Sequence, residues 1–148
     1  MKTIFDATTR DELINRINTL SESSKAEWGK MNVLQMVKHC RLWGEMVAGR
    51  RPCKRVFLGR LLGKMALKSS VKDDTPMMRN AVSSPELVVK DNNINFSAER
   101  SKWIAVVAEN ALYPDPYFMH PFFGKMTKEQ LGYHAYKHFD HHLRQFNS

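Results

Sequence analysis

The chain has 148 residues, enough for one domain with a hydrophobic core, and its 43% apolar and 26% charged residues exclude a disordered polypeptide. Lys and Arg outnumber Asp and Glu by 23 to 15, and the resulting net charge of +8 favours anionic partners. No apolar run reaches membrane-spanning length, and the first residues lack the apolar core of a secretion signal. We therefore expect a cytoplasmic protein with reduced thiols and no membrane partner.

Amphipathic patterns predict two helices in the first third of the chain. The first spans about 10–22 and begins with a capping box at Thr9. The second spans about 33–48 and begins with a capping box at Asn32. Its apolar residues recur at helical spacing, so one face should turn inward.

The middle of the chain is basic and then polar. Residues 54–68 predict a shorter amphipathic helix, whose apolar side chains we expect to be buried because they are too many to display. Residues 69–93 carry two prolines and predict a long loop, of the kind that often forms a lid or a binding segment. The sequence does not indicate which role this loop has.

The last third predicts two more helices separated by a non-helical stretch. One helix is expected to begin at Ser97, whereas the three prolines within 113–124 exclude a helix there. The other begins with a capping box at Thr127 and runs to about Phe146. Four main helices with a long middle connection predict an all-α, four-helix bundle in a single domain over 1–148.

The last helix carries most of the histidines, and three interpretations compete: a solvated polar face, a basic surface for an anion, or a metal site. His134, His138 and His142 are successive i+4 steps, so their side chains lie along one stripe of the helix. The apolar positions interleave with this stripe, which places His138 and His142 at the edge of the buried face. Two imidazoles there could converge on one cation.

A third ligand would have to come from elsewhere in the chain, and the remaining histidines are His39 and His120. His39 shares a helical line with Met36 and Trp43, so it should point inward. The alternative for His39 is a core residue bonded to a backbone carbonyl. His120 precedes the last helix and is expected at the mouth of the site.

Four other polar residues surround the proposed ligands. His134 could support a ligand or act as a base, although we expect it to be exposed to solvent. His141 could substitute as a ligand, although an outward position is expected. Asp140 and Gln145 either orient ligand imidazoles or lie on the surface. No catalytic residue can be named from the sequence.

Three segments resemble the DinB-like superfamily. HAYKHFDHHLRQF, at 134–146, resembles its last-helix signature, roughly H-x3-H-x3-H-R-G-Q, although Leu143-Arg144 replaces Arg-Gly. WGKMNVLQMVKHC, at 28–40, resembles the entry to its second helix, and HPFFGKMT, at 120–127, resembles the approach to its last helix. The resemblance implies a bundle in up-down-down-up order.

The resemblance also implies a divalent metal ion held by His39, His138 and His142, with Zn, Ni or Fe equally acceptable to imidazole. It implies a metal-dependent thiol S-transferase that acts on a small anionic substrate such as a low-molecular-weight thiol. Three imidazoles would leave a coordination position open, and metal-bound water there could instead make the protein a hydrolase. A homodimer is compatible with the sequence. The alternative is a non-catalytic binding module that engages nucleic acid or another anionic partner through basic residues 41–68. Nucleic acid is the less expected partner, because buried apolar residues would leave these cations at one end of the bundle.

Overall fold

The computed structural model describes residues 1–81 and 83–148, and it is mostly helical, as the sequence predicts. The elements in chain order are α1 (Ala7–Thr19), α2 (Val33–Val47), α3 (Phe57–Ser70), a 3-10 turn (Pro85–Leu87), α4 (Phe96–Asn110), β1 (Tyr117–His120), β2 (Gly124–Thr127) and α5 (Lys128–Gln145). In the described residues, no helix combines the length and apolar character needed to cross a bilayer.

The starts of α2 and α5 agree with their predicted capping boxes. The side chains of Asn32 and Thr127 each accept a hydrogen bond from the backbone three residues later. In return, Gln35 and Gln130 accept from the backbone N–H of the capping residues. The capping boxes therefore define the residue at which each helix begins. The two starts are important because both helices contribute histidines to the site.

The starts of α1 and α4 differ from the prediction by one or two residues. Asp6 caps α1 by accepting from the Thr9 backbone N–H at 2.7 Å, so Thr9 lies in the first turn instead of before it. Asn95, and not Ser97, caps α4 by accepting from the Ala98 N–H at 2.9 Å. In each case an Asx side chain lies just upstream of the predicted cap and takes its place.

The stretch before α5 is not helical, as predicted, but part of it forms an antiparallel hairpin. Phe118 pairs with Met126 across β1 and β2, and both side chains are buried. Tyr117 and Met119 face outward, which gives the alternation of a half-buried strand. The all-α prediction therefore holds only approximately, because the prolines that exclude a helix leave an extended chain free to pair.

Of the five α-helices in the described residues, four pack around the main core. Helix α2 packs against α4 and α5, and α1 packs against the same two helices. Helix α3 instead contacts strand β2, and the 3-10 turn contacts α2. The largest fully buried side chains of this core come from several elements and include Leu13, Met36, Trp103, Leu131 and Phe139.

The predicted burial of the apolar side chains of α3 is wrong. Phe57, Leu61 and Met65 are 75%, 68% and 69% exposed, and the helix meets the hairpin through its small residues. Gly59 and Gly63 lie so close to the Phe122 carbonyl that a Cβ atom at either position would collide with it. Because the small-residue face makes the contact, the large apolar side chains turn outward.

Candidate metal centre

Helices α2 and α5 bring three histidines together inside the protein. His39 comes from the middle of α2, and His138 and His142 come from successive turns of α5. One ring nitrogen from each lies within 4.8 Å of the other two. All three residues are at least 92% buried, so these imidazoles could hold a metal ion out of bulk solvent.

The spacing of the ring nitrogens fits a metal with imidazole ligands. Nε2 of His39 lies 3.3 Å from Nε2 of His138. Two nitrogens bound at about 2.0–2.1 Å to a tetrahedral ion lie about 3.3–3.4 Å apart, so this pair already has the separation of two zinc ligands. Neutral imidazoles suit Zn, Ni and Fe alike, and the geometry does not select among them.

Hydrogen bonds fix the tautomers of two of the histidines. Nδ1 of His39 lies 2.9 Å from the Leu87 carbonyl, which can only accept, so this nitrogen carries the proton. Nδ1 of His142 lies 3.0 Å from Oε1 of Gln145, which likewise accepts. The Nε2 atoms of His39 and His142 are therefore left with free lone pairs, which is the form that binds a cation.

Gln145 is held in the orientation that this bond requires. Its amide Nε2 donates to the Trp28 carbonyl at 2.7 Å, which directs Oε1 towards His142. Its backbone carbonyl accepts from the Glu27 N–H at 2.8 Å. The segment before α2 thus positions Gln145, and Gln145 positions His142.

Burial keeps the three imidazoles neutral. Desolvation lowers the pKa of His39 below 6.5, although the Leu87 carbonyl opposes the shift. Desolvation lowers the pKa of His138 and of His142 well below the usual value, and the neighbouring histidines add to the effect. At neutral pH no proton has to leave these side chains before a cation binds.

An aromatic wall closes the site beside His138. The Trp43 ring stacks on the His138 ring with centroids 4.6 Å apart and an interplanar angle of 23°. Phe139 meets both rings edge-on. In the described residues, Nδ1 of His138 has no hydrogen-bond partner, so its orientation depends on this packing.

His134 is buried, contrary to the expected exposure. Its ring packs against Trp43, Phe123 and His120, with centroids 4.9–5.8 Å away, and its centroid lies 6.3 Å from that of His138. Desolvation lowers its pKa to about 4. His134 therefore extends the buried histidine row by one turn, outside the group of three ligands.

His120 lies in the hairpin and not at an open mouth. Its Nδ1 accepts from the backbone N–H groups of Phe122 and Phe123 at 3.1 and 3.2 Å. The lone pair of that nitrogen is therefore used within the turn between β1 and β2. Burial lowers the pKa of His120 well below 6.5, so it too is neutral.

Asp140 and His141 lie on other sides of α5. The carboxylate of Asp140 accepts from Arg16 at 2.7 Å and from Arg144 at 2.8 Å, so it binds arginines and not an imidazole. His141 is half-buried, with its ring edge-on to Trp28 at 6.0 Å. Asp140 and Gln145 were the residues proposed to orient a ligand imidazole, and the structure places Gln145 in contact with one, His142.

A cavity of about 660 Å³ lies beside the histidine cluster. Trp28, His141 and Arg144 line it together with Met77 and Arg79. The Arg79 guanidinium lies 4.0 Å above the Trp28 ring. Gln145 bonds both the Trp28 carbonyl and His142, so it links a residue that lines this cavity to the cluster.

Sequence reasoning missed two backbone groups that organise the site and a buried lysine on the helix that carries two of its histidines. The carbonyls of Leu87 and Trp28 leave no signature of their own, although the apolar ELVV within the polar loop signals an anchored segment. Lys137 is buried, and its Nζ donates to the carbonyls of Ser70 and Asp73 at 2.6 and 3.0 Å. An inward lysine on α5 could have suggested that it binds the carbonyls at the C-terminal end of another helix.

Comparison with protein families gave one result that covers nearly the whole chain. The DUF1569 family, described as a protein of unknown function, matches residues 2–148. Comparisons with curated proteins and with solved structures gave no match. The geometry of the site is therefore the basis for its functional interpretation.

Proposed function

We propose that this chain, which belongs to the DUF1569 family of proteins of unknown function, is a DinB-like metal-dependent enzyme. Its divalent cation would be held by His39, His138 and His142, and it would act as a thiol S-transferase or a hydrolase on a small anionic substrate. The observation that carries the proposal is the convergence of three buried, neutral imidazoles from two helices.

Helix packing supports the DinB-like assignment. Helices α1, α2, α4 and α5 each contact two of the others, which is compatible with the four-helix bundle that the resemblance implies. Helix α3 and the long loop then form the middle connection, and the hairpin leads into the last helix. The histidines of α2 and α5 occupy the positions that the resemblance implies for metal ligands.

The ligand set favours a catalytic role over a structural one. Three protein ligands leave a coordination position open, whereas structural zinc sites use four. A bound divalent cation would supply Lewis acidity, which lowers the pKa of a substrate thiol or of water. The protein's own part is to hold His39 and His142 in one tautomer through Leu87 and Gln145, and to exclude water with Trp43.

The cavity beside the cluster supports a small anionic substrate. Arg79, Arg144 and His141, together with the acidic Glu27, line a volume of about 660 Å³, within the range of small-molecule sites. A carboxylate could bind the guanidinium groups through paired hydrogen bonds. A low-molecular-weight thiol that carries carboxylates, such as glutathione or bacillithiol, has this chemistry. The cytoplasmic location expected from the sequence fits such a substrate and stays a prediction.

Metal analysis tests the first half of the proposal. The protein is purified without a histidine tag, and its Zn, Ni and Fe contents are measured by mass spectrometry before and after reconstitution. We expect one divalent cation per chain, bound tightly enough to survive gel filtration. Absence of stoichiometric metal after reconstitution, together with tight duplex binding at physiological salt, would favour the non-catalytic binding module.

A cobalt-substituted sample tests the second half. Titration with glutathione or bacillithiol is followed in the near ultraviolet, where a sulfur-to-cobalt charge-transfer band reports direct ligation by the thiol. We expect the band with at least one of the two thiols. Stoichiometric cobalt without a band for either thiol would remove the transferase and leave the hydrolase.

A further inference from the structure

Helix α3 displays an apolar face that the rest of the described chain does not cover. Its exposed apolar side chains are Phe57, Leu58, Leu61, Leu62 and Met65, which are 42–75% exposed. At about 100° per residue these positions fill a continuous arc of roughly 140° around the helix. Contiguous apolar surface of this kind on a folded protein marks a binding surface, whereas a single exposed leucine does not.

Close packing holds this face outward. Gly59 and Gly63 press against the backbone around Phe122, and Leu67 is buried on the same side. The Val56 N–H donates to the Pro121 carbonyl at 3.0 Å just before the helix begins. Rotating the apolar arc inward would drive large side chains into the hairpin backbone, so this orientation is the stable one.

Basic residues border the apolar arc. Arg60, Lys64 and Lys68 follow one another at i+4 steps, so they form a line along one edge of it. All three are exposed, and none takes part in an ion pair within residues 1–81 and 83–148. No acidic residue occurs between Met46 and Lys72, so every charged side chain of α3 itself is basic.

We propose that α3 is a membrane-surface helix, which lies in the headgroup region of an anionic lipid bilayer with its apolar arc inserted. Phe and Leu on one side with Lys and Arg beside them are the composition of interfacial helices. The helix has 14 residues and is about 21 Å long, too short to span a hydrocarbon core of about 30 Å. It can therefore lie on a bilayer but cannot cross it.

Charge favours a lipid surface over a second copy of the chain. Two α3 faces in contact would bring two rows of basic side chains together, and their repulsion would oppose pairing. Anionic headgroups instead neutralise the edge formed by Arg60, Lys64 and Lys68 while the acyl region takes the apolar arc. This partner was not expected from the sequence, because the apolar side chains of α3 were predicted to be buried.

Vesicle co-sedimentation tests the proposal with the full chain. The wild-type protein is mixed with vesicles of phosphatidylcholine alone, or of equal parts of phosphatidylcholine and phosphatidylglycerol. We expect binding to the mixed vesicles that weakens with salt, and much weaker binding to phosphatidylcholine. Equal binding to both, or no binding to either, would overturn the proposal.

Two double variants separate the apolar from the electrostatic contribution. Leu61→Ser with Met65→Ser, and Lys64→Glu with Lys68→Glu, should each weaken binding to mixed vesicles by about tenfold or more. The matched controls are Leu112→Ser, at an 81% exposed leucine beyond α4, and Lys102→Glu, at a lysine 61% exposed on α4. Both controls should bind as wild type does.

Folding and competing partners are checked on the same proteins. All substituted side chains are exposed, so circular dichroism melting curves should be unchanged, which separates lost binding from lost structure. In sedimentation equilibrium, the wild-type protein and the Leu61→Ser, Met65→Ser variant should show the same state of association. Self-association of the wild type that this variant loses would assign the face to a second copy of the chain. Duplex binding tighter than vesicle binding at the same salt concentration would assign it to nucleic acid. Either result would overturn the lipid proposal.

Discussion

Helices α5 and α3 divide polar and apolar residues between inside and outside in opposite ways. Helix α5 buries polar side chains, including His134, the two cluster histidines His138 and His142, the lysine that binds the end of α3, and an aspartate. Helix α3 exposes its largest apolar side chains and buries its glycines. The two helices have nearly equal amphipathic character, so the pattern alone does not tell which face turns inward.

The two helices also differ in whether the residues on their unusual faces have contact partners within the protein. Buried polar groups on α5 are mostly matched inside the protein: Lys137 by two carbonyls, Asp140 by Arg16, and His142 by Gln145. The exposed apolar residues of α3 have no such match within the described chain. An interior that bears the cost of buried imidazoles is typical of a ligand site, and an exposed apolar arc is typical of a surface that binds something larger.

The largest expected effect is the loss of metal from α5 and α2. Substituting His39, His138 or His142 singly by Ala should reduce metal from one ion per chain to near zero, because two imidazoles alone make a weak site. Metal content by mass spectrometry and affinity by calorimetry are the measurements.

The matched control for these variants is His141→Ala, which removes an imidazole from the same helix next to His142. Its ring lies towards Trp28 and outside the group of three, so stoichiometric metal should persist. If His141→Ala also lost its metal, or if His39→Ala retained it, the ligand set proposed here would be incorrect.

The next effect concerns acid stability and the buried His134. Its pKa is about 4 in the folded protein, against about 6.5 in the unfolded chain. Between these pH values the unfolded chain binds a proton that the folded chain does not, so the free energy of unfolding rises with pH across this window. Its contribution is fully present above pH about 6.5, and about 3 kcal/mol is lost as the pH falls to about 4.

Urea unfolding with a chelator present, repeated across this pH window, measures the effect. His134→Phe keeps a ring among Trp43 and Phe123 but cannot titrate, so its unfolding free energy should fall less steeply with acid than that of wild type. His141→Phe, at a half-buried position, is the control and should alter the slope less. Identical slopes for wild type and His134→Phe would show that His134 does not remain neutral when folded.

A smaller effect is expected at Gln145. Gln145→Leu removes the acceptor for His142 and the donor to Trp28, and it should weaken metal binding by about 10–100-fold, as loss of a ligand-orienting group does. Gln145→Glu retains an acceptor for His142 Nδ1 and should lose less. Calorimetric titration with zinc ranks the two variants; equal affinity of Gln145→Leu and wild type would mean that packing alone orients His142.

The local starts of α2 and α5 and the inward line of His39 were predictable, because capping boxes and helical spacing depend on neighbouring residues. The position of Leu87 was not, since a backbone carbonyl 48 residues away in the chain leaves no pattern at His39. The hairpin was missed because its two strands have only four residues each, and such short strands leave a weak alternation in the sequence. Burial of His134 was missed because its partners come from distant segments, such as Trp43 and Phe123.

The outward face of α3 was mispredicted for a related reason. Its glycines are the residues that allow the hairpin backbone to approach, and the sequence of α3 alone does not show that another element packs there. A pattern shows that a helix has two faces, but only the shape of the neighbouring element decides which face fits. The same limit left the role of the 69–93 loop unassigned until the Leu87 contact was seen.

The smallest expected effect is that of truncating a leucine of α3, and it is measured against the truncation of a leucine of α5. Leu131 on α5 is fully buried, so Leu131→Ala should lower the free energy of unfolding by about 2–5 kcal/mol through lost burial and the cavity left behind. Leu61 on α3 is 68% exposed in the folded protein, so Leu61→Ala should change that free energy by less than about 0.5 kcal/mol. Urea unfolding of the two variants in the absence of lipid measures both. A loss at Leu61 comparable to that at Leu131 would mean that the α3 face is covered in solution by another part of the chain or by a second molecule, and the contrast between the two helices would then disappear.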